Sequence, residues 1–238
     1  MILSVDFDII MAPSIQLYND LVEPYNTCRE QNWDFIEQER YLSKYLEYDK
    51  EIYNKINEIL VEASKKVPVV YIGRDHSSIL AAINTEAREG RLKLPATVYN
   101  IDHHHDIYYS EHQLDPIFKY HDPTCGCWVG YLERLKLLSK YAWINNDSSK
   151  LFYPLEPIGN NIVNKTYTGN IKTIEIPFEE IEMLYFCSSL PYIPKKYDEL
   201  FLHTLKLILD EKGNDVIYYE GAYTRYANDF IREIIQGK

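Results

Sequence analysis

The stretch Val98-Tyr99-Asn100-Ile101-Asp102-His103-His104-His105-Asp106 is an apolar run that ends in a carboxylate, three consecutive histidines and a second carboxylate. Side chains alternate between the faces of a strand, so an extended backbone sends Asp102, His104 and Asp106 one way and His103 and His105 the other. Imidazole and carboxylate on one face form a donor set for Mn²⁺, Fe²⁺ or Zn²⁺, and two carboxylates suit an ion that keeps positions for water. A solvated polar loop after a strand is the plainer reading of the same residues. The cluster's internal position behind a well-formed apolar strand favours the ligand set.

Working outward, residues 94–101 read as the strand that delivers this cluster. Upstream, 67–72 is a compact buried strand, followed by Gly73-Arg74-Asp75-His76-Ser77-Ser78 and a helix over about 77–88. That order puts Asp75 and His76 at the carboxyl end of a strand, the edge at which parallel sheets bind ligands. At the start of the chain, residues 2–10 alternate as a strand and put Asp6 and Asp8 on one face. Buried carboxylates without partners cost several kcal/mol, so this pair either meets a cation or lies at an exposed strand end.

Between these segments, 11–32 is irregular, broken by Pro13 and Pro24, and Tyr45, Tyr48, Ile52, Ile56, Ile59 and Leu60 then recur at helical spacing to about Ser64. Downstream, 108–123 reads as a loop carrying Glu111, His112 and His121, and Thr124 caps a helix over about 125–138. A short strand at 141–145, a long polar connection over 147–170 and strands at 171–176 and 182–187 follow. Pro194 opens a helix to about 211, a strand at 215–219 ends at Glu220, and 228–235 is a closing helix. Strands alternating with helices predict an α/β fold, a three-layer α/β/α sandwich with a mainly parallel sheet.

The 238 residues show no linker and no repeat, so a single domain over 1–238 is expected. The net charge, 25 − 36 = −11, argues against a surface that tracks nucleic-acid phosphates and is compatible with a cationic substrate. No apolar run is long enough for a membrane helix, and Met1-Ile2-Leu3-Ser4-Val5-Asp6 lacks the basic start of a signal peptide. A cytoplasmic protein with neither membrane nor nucleic-acid partner is expected. Cys28, Cys125, Cys127 and Cys187 follow no disulfide framework and read as reduced thiols.

Taken together, Ser4-Val5-Asp6-Phe7-Asp8, Gly73-Arg74-Asp75-His76-Ser77 and Asp102-His103-His104-His105-Asp106 resemble the arginase/ureohydrolase superfamily. Its binuclear manganese site uses a Ser-Phe-Asp-Val-Asp-like strand, a Gly-Gly-Asp-His-Ser element and an Asp-x-His-x-Asp element. One feature departs from the pattern: the aspartate strand lies at the N-terminus rather than after the histidine cluster. The later strand around Met183-Leu184-Tyr185-Phe186-Cys187-Ser188-Ser189, where the family would place those aspartates, carries none. The resemblance therefore implies an arginase/deacetylase-like fold with a permuted sheet, similar to the divergent branch that contains peptide arginases.

It implies two Mn²⁺ ions bridged by Asp6 and Asp102, with His76 and Asp106 completing one shell and His104 and Asp8 the other. The implied reaction is hydrolysis of a guanidinium to urea and an amine, with conversion of peptide arginine to ornithine as the narrower expectation. Two ions about 3.5–4 Å apart can share a hydroxide at neutral pH. Asp106 is the candidate acid toward the leaving nitrogen. His103 and His105, with His121, are candidates for a proton-shuttling role, and Glu220 is the candidate bidentate partner of the guanidinium. Arg74 stands where the family has glycine, and either narrows the site mouth or pairs with Asp75. An Asp-His-His manganese phosphoesterase is the main alternative, since Ile101-Asp102-His103-His104 matches its signature, but no histidine precedes Asp6. A deacetylase of the arginase-like fold and an inactive metal-binding relic are the others.

Overall fold

The computed structural model describes residues 1–12, 47–107, 126–147, 149, 166–189 and 192–219. Strand β1 (Ile2–Asp6) gives way to one 3₁₀ turn (Phe7–Ile10), and a short β2 (Met11–Ala12) pairs antiparallel with β3 (Glu47–Tyr48). Helix α1 (Lys50–Lys66) starts at Asp49, whose side chain accepts from the N–H groups of Glu51 and Ile52, and ends on Lys65 and Lys66. Both ends therefore match the helix dipole. Then come β4 (Val70–Gly73), a 3₁₀ turn (His76–Ser78), α2 (Ile79–Arg88), β5 (Ala96–Ile101), α3 (Trp128–Arg134), β6 (Leu138–Asn145), β7 (Thr166–Asn170), β8 (Met183–Cys187), α4 (Asp198–Lys212) and β9 (Val216–Tyr219).

Seven strands form one sheet in the order β7-β6-β5-β1-β8-β4-β9, with every pairing parallel. The apolar runs of β1, β4 and β8 are buried on both faces, as a parallel sheet covered on both sides requires. Leu3, Val5, Ile72, Leu184 and Phe186 pack with α1 and α4 on one face. Ile2, Tyr71, Val98, Trp143 and Tyr185 pack with α2 and α3 on the other. The expected three-layer α/β/α sandwich is thus the observed one. Among the described residues no helix is long and apolar enough to cross a membrane.

Two features of this arrangement position the site. All strands of the sheet are parallel, so the residues that follow their last members gather along one edge. The chain also reverses its direction of travel across the sheet beside β1: β5, β6 and β7 step outward to one edge, whereas β8 and β9 lie toward the other. Such a switch point opens a crevice at the carboxyl ends of the strands.

Several element boundaries differ from the expected ones for local reasons. The first strand ends at Asp6 rather than running to residue 10, because the Asp6 carboxylate accepts from the Asp8 N–H and turns the chain into a 3₁₀ helix. The strand expected at 171–176 is instead β7 at 166–170, inside the stretch read as a polar connection. Asn170 ends it, its carbonyl accepting from Thr173 and Ile174 and its side chain from Lys172. Ile171 and Ile176 are buried from a turn rather than from a strand, which their spacing could not distinguish. Helix α3 is shorter than the expected 125–138; it stops before Lys136, which adopts φ +60°, and β6 then starts three residues early at Leu138. The helix expected at 228–235 and residues 13–46 lie outside the described residues.

Gly73 ends β4 because nothing larger fits. A Cβ there would lie 1.7 Å from the Tyr185 hydroxyl oxygen, which donates to the Asp75 carbonyl at 2.7 Å and pairs with Ser78 Oγ at the same distance. Gly73→Ala is expected to cost about 1–3 kcal/mol by overpacking. In chemical denaturation, Gly73→Ala combined with Tyr185→Phe should be more stable than the sum of the two single changes, since the clash involves that hydroxyl.

Candidate metal centre

The three expected ligand segments meet at the carboxyl edge of the sheet. Asp6 is the last residue of β1, His76 follows β4, Asp102 follows β5 directly, and β1 lies between β5 and β8 with Asp6 level with Cys187. Asp6, Asp8, His76, Asp102, His104 and Asp106 are all less than a tenth exposed. Their donor atoms form overlapping groups within 4.8 Å of one another: Asp8 with Asp102 and His104, His76 with Asp102 and Asp106, and Asp6 with His76 and Cys187. Asp102 belongs to two of the three.

The distances show how the imidazoles are aimed. His76 Nδ1 faces Asp106 Oδ2 at 3.0 Å, Asp102 Oδ2 at 3.4 Å and Asp6 Oδ2 at 3.5 Å. Its other nitrogen, Nε2, lies 2.8 Å from Ser4 Oγ. A proton on Nε2 donated to that hydroxyl leaves Nδ1 as a ligand atom, the usual outer support of a metal-binding histidine. His104 Nδ1 faces both Asp8 Oδ2 and Asp102 Oδ1 at 3.4 Å.

The carboxylates are held in place from outside. Ser189 Oγ donates to Asp6 Oδ2 at 2.6 Å, Trp128 Nε1 donates to Asp106 Oδ2 at 2.6 Å, and the His104 N–H donates to Asp102 Oδ1 at 2.7 Å. Asn100 Nδ2 adds a bond to Asp102 Oδ2 at 3.2 Å. Asp106 itself adopts φ +50°, a left-handed backbone that aspartate tolerates better than most residues, while its carbonyl accepts from Val129 at the start of α3.

Asp8 is the exception. Among the described residues neither of its oxygens receives a hydrogen bond, although the side chain is wholly buried. An ionised carboxylate in that state is costly without a cation, and its facing neighbours are two further potential ligands. Oxygen and imidazole donors of this kind suit a divalent ion; Asp102 is common to two of the groups, as expected, whereas Asp6 is grouped with His76 and Cys187 rather than with Asp8 and His104.

Electrostatics agree with the need for positive charge. Burial, and then the charges of Asp8 and Asp102, hold Asp6 well above the usual carboxylate range, and burial with Asp106 raises Asp102 as well. Burial works against a charged His76, but Asp106, Asp102 and Asp6 outweigh it and push its pKa up to about 10. Burial and the charge of Asp6 likewise raise the Cys187 thiol.

His103 and His105 join none of the groups of ligand atoms. His103 Nδ1 lies 3.1 Å from Ser149 Oγ, and His105 Nδ1 accepts from the Ile107 N–H at 3.1 Å, its ring edge-on to Trp143. Burial, aided by His104, pushes His105 down to about 4, so this ring is neutral near pH 7. The alternation expected of a strand is therefore preserved in the sorting, yet its cause differs. Strand β5 stops at Ile101, and residues 102–107 form a loop pinned by Trp143 Nε1 on the Asp102 carbonyl at 3.0 Å and Tyr141 on the His105 carbonyl at 2.6 Å. Glu220, Cys125, Glu111, His112 and His121 lie outside the described residues.

Four contributors escape a reading of motifs. Ser4 and Cys187 are visible only through strand register, Ser189 through the turn after β8, and Trp128 through the approach of α3.

Added Mn²⁺ is expected to raise the thermal midpoint of metal-free protein by about 5–10 °C at a hundredfold excess over its dissociation constant. Asp8→Asn should abolish that increment while the metal-free variant unfolds at or above the wild-type temperature, because a buried charge without a donor has been removed. No protein-family model, curated protein or solved structure matches this chain.

Proposed function

We propose that the chain is a binuclear metal hydrolase that cleaves a guanidinium group to urea and an amine, with Mn²⁺ as the metal and peptide arginine, converted to ornithine, as the substrate. The observation that carries this reading is the position of Asp102, whose carboxylate belongs at once to the group with Asp8 and His104 and to the group with His76 and Asp106. One carboxylate common to two sets of ligands is what a two-ion centre requires. In this reading Asp6, Asp8, His76, Asp102, His104 and Asp106 would hold the ions, with Asp102 common to both sets.

Bound ions would supply the charge that lets water lose a proton near neutral pH and that stabilises negative charge on the substrate. The chain's own residues do the rest. Ser4, Ser189 and Trp128 fix the orientation of His76, Asp6 and Asp106, so that the ligand atoms need not reorganise when the site fills. Proton transfer to the leaving nitrogen is assigned to Asp106, whose carboxyl group lies beside the ligand atoms of His76 and is fixed by Trp128 Nε1 through Oδ2. The products then balance, with one water added across a carbon–nitrogen bond to give urea and the amine. Glu220 follows Tyr219 at the carboxyl end of β9, and we assign it the bidentate grip on the guanidinium.

The test is urea release by Mn²⁺-loaded protein from free arginine and from an arginine-containing peptide, with metal content measured on the same sample. Urea from the peptide, with about two metals per chain, is expected. Asp102→Asn and His104→Ala should each lower turnover at least a hundredfold, in line with the loss of a metal ligand. Bound metal with no urea from either substrate, but hydrolysis of a phosphodiester, would replace this reading with the phosphoesterase one.

A further inference from the structure

Among the described residues Arg74 is the one Lys or Arg side chain that is buried, at 4% exposure, and it follows β4 at the edge that carries the centre. Among the described residues its Nε and Nη1 meet no hydrogen-bond acceptor, and no carboxylate pairs with it, so the expected bond to Asp75 is not made. The backbone of Arg74 is fully used: its carbonyl accepts from Ser188 Oγ at 3.1 Å and from the Ser189 N–H at 3.0 Å. Ser189 in turn donates to Asp6. Arg74 is therefore tied through one residue to the carboxylates of the centre, on the same sheet edge, while its guanidinium is left unsatisfied.

A guanidinium keeps its charge in proteins, and burying it without acceptors costs several kcal/mol. The imbalance is resolved by a ligand that brings the acceptors. Nε and Nη1 diverge: the Nε–H shares one side of the planar guanidinium with Nη2, the fork that a carboxylate matches, while Nη1 on the other side needs an acceptor of its own.

We propose that Arg74 anchors a carboxylate of the ligand that binds at this edge. For its kinetic arm the proposal rests on the ureohydrolase reading. The carboxylate is either the α-carboxylate of a free guanidino acid or a carboxylate within a peptide, from an acidic side chain near the target arginine. Arg74 then sets specificity, because a substrate lacking that group leaves the buried charge unpaired.

The first arm of the test needs neither metal nor turnover. The thermal midpoint of the metal-free full chain is followed in acetate and in chloride at equal pH and ionic strength. Acetate should raise the wild-type midpoint with rising concentration, and Arg74→Met should remove that increment. An increment absent from the wild type, or retained in the variant, overturns the proposal. Arg74→Gln is read by the same criterion if the methionine variant does not fold.

The second arm uses the Mn²⁺-loaded protein with four substrates: arginine, agmatine, which has no carboxylate, and C-terminally amidated arginine peptides with and without a neighbouring aspartate. Arg74→Met should raise KM about tenfold to a hundredfold for the carboxylated substrate, leave kcat nearly unchanged, and spare the uncarboxylated partner. An effect confined to free arginine identifies the α-carboxylate, and one confined to the aspartate peptide identifies the side chain. An equal rise for agmatine and for the peptide without aspartate overturns the assignment. Absence of urea from every substrate removes the ureohydrolase reading, and the acetate arm still decides the role of Arg74.

Discussion

The constraint on which the structure turns is a charge imbalance in a dry place. Asp6, Asp8, Asp102 and Asp106 are buried around two imbalanced partners, His76 and His104. Even with both imidazoles protonated the group retains negative charge, and a low-dielectric interior makes such an excess expensive. Protons relieve part of it, as the raised pKa values of Asp6 and His76 express. Divalent cations relieve more, and Asp8, with no donor of its own among the described residues, is the place where the protein alone offers no remedy.

The sheet makes this concentration of charge possible. A parallel arrangement sends the ends of β1, β4, β5 and β8 to one edge, and burial on both faces gives the hydrophobic stabilisation against which a strained centre can be held. Placing β1 between β5 and β8 supplies Asp6 and Asp8 from the middle of the sheet. Cys187 on β8 lies level with Asp6, so two neighbouring strands both end at the centre.

Much of this was legible in the residues. The apolar runs followed by Asp-x-Asp, Asp-His-Ser and Asp-His-His-His-Asp disclosed both the α/β alternation and the six side chains that converge, because a parallel sheet turns strand ends into neighbours. The sorting of His103 and His105 away from Asp102 and His104 was legible too, although a loop held by Trp143 and Tyr141 produces it rather than a continuing strand. Strand β7 was not legible: Thr166-Tyr167-Thr168-Gly169-Asn170 is polar enough to pass for a connection, being an edge strand that pairs on one side only. Nor could spacing reveal the supports of the centre, since Ser4, Trp128 and Ser189 reach it through tertiary packing. The isolation of Arg74 was hidden for the same reason, a carboxylate being its next neighbour in the chain.

The central place of β1 also has a kinetic meaning. Its two sheet partners, β5 and β8, are drawn from the middle and the far part of the chain, so its ladder closes only after long loops have been brought together. Topologies dominated by such distant pairings fold slowly. Until β8 docks, the segment Ile2–Asp6 is an apolar strand with an open edge, the kind of surface that invites pairing with another molecule. Asp6 at its end, and Asp8 just beyond, place charge where that exposed strand stops, so the residues that assemble the centre in the finished protein also act as gatekeepers against aggregation while the sheet is incomplete.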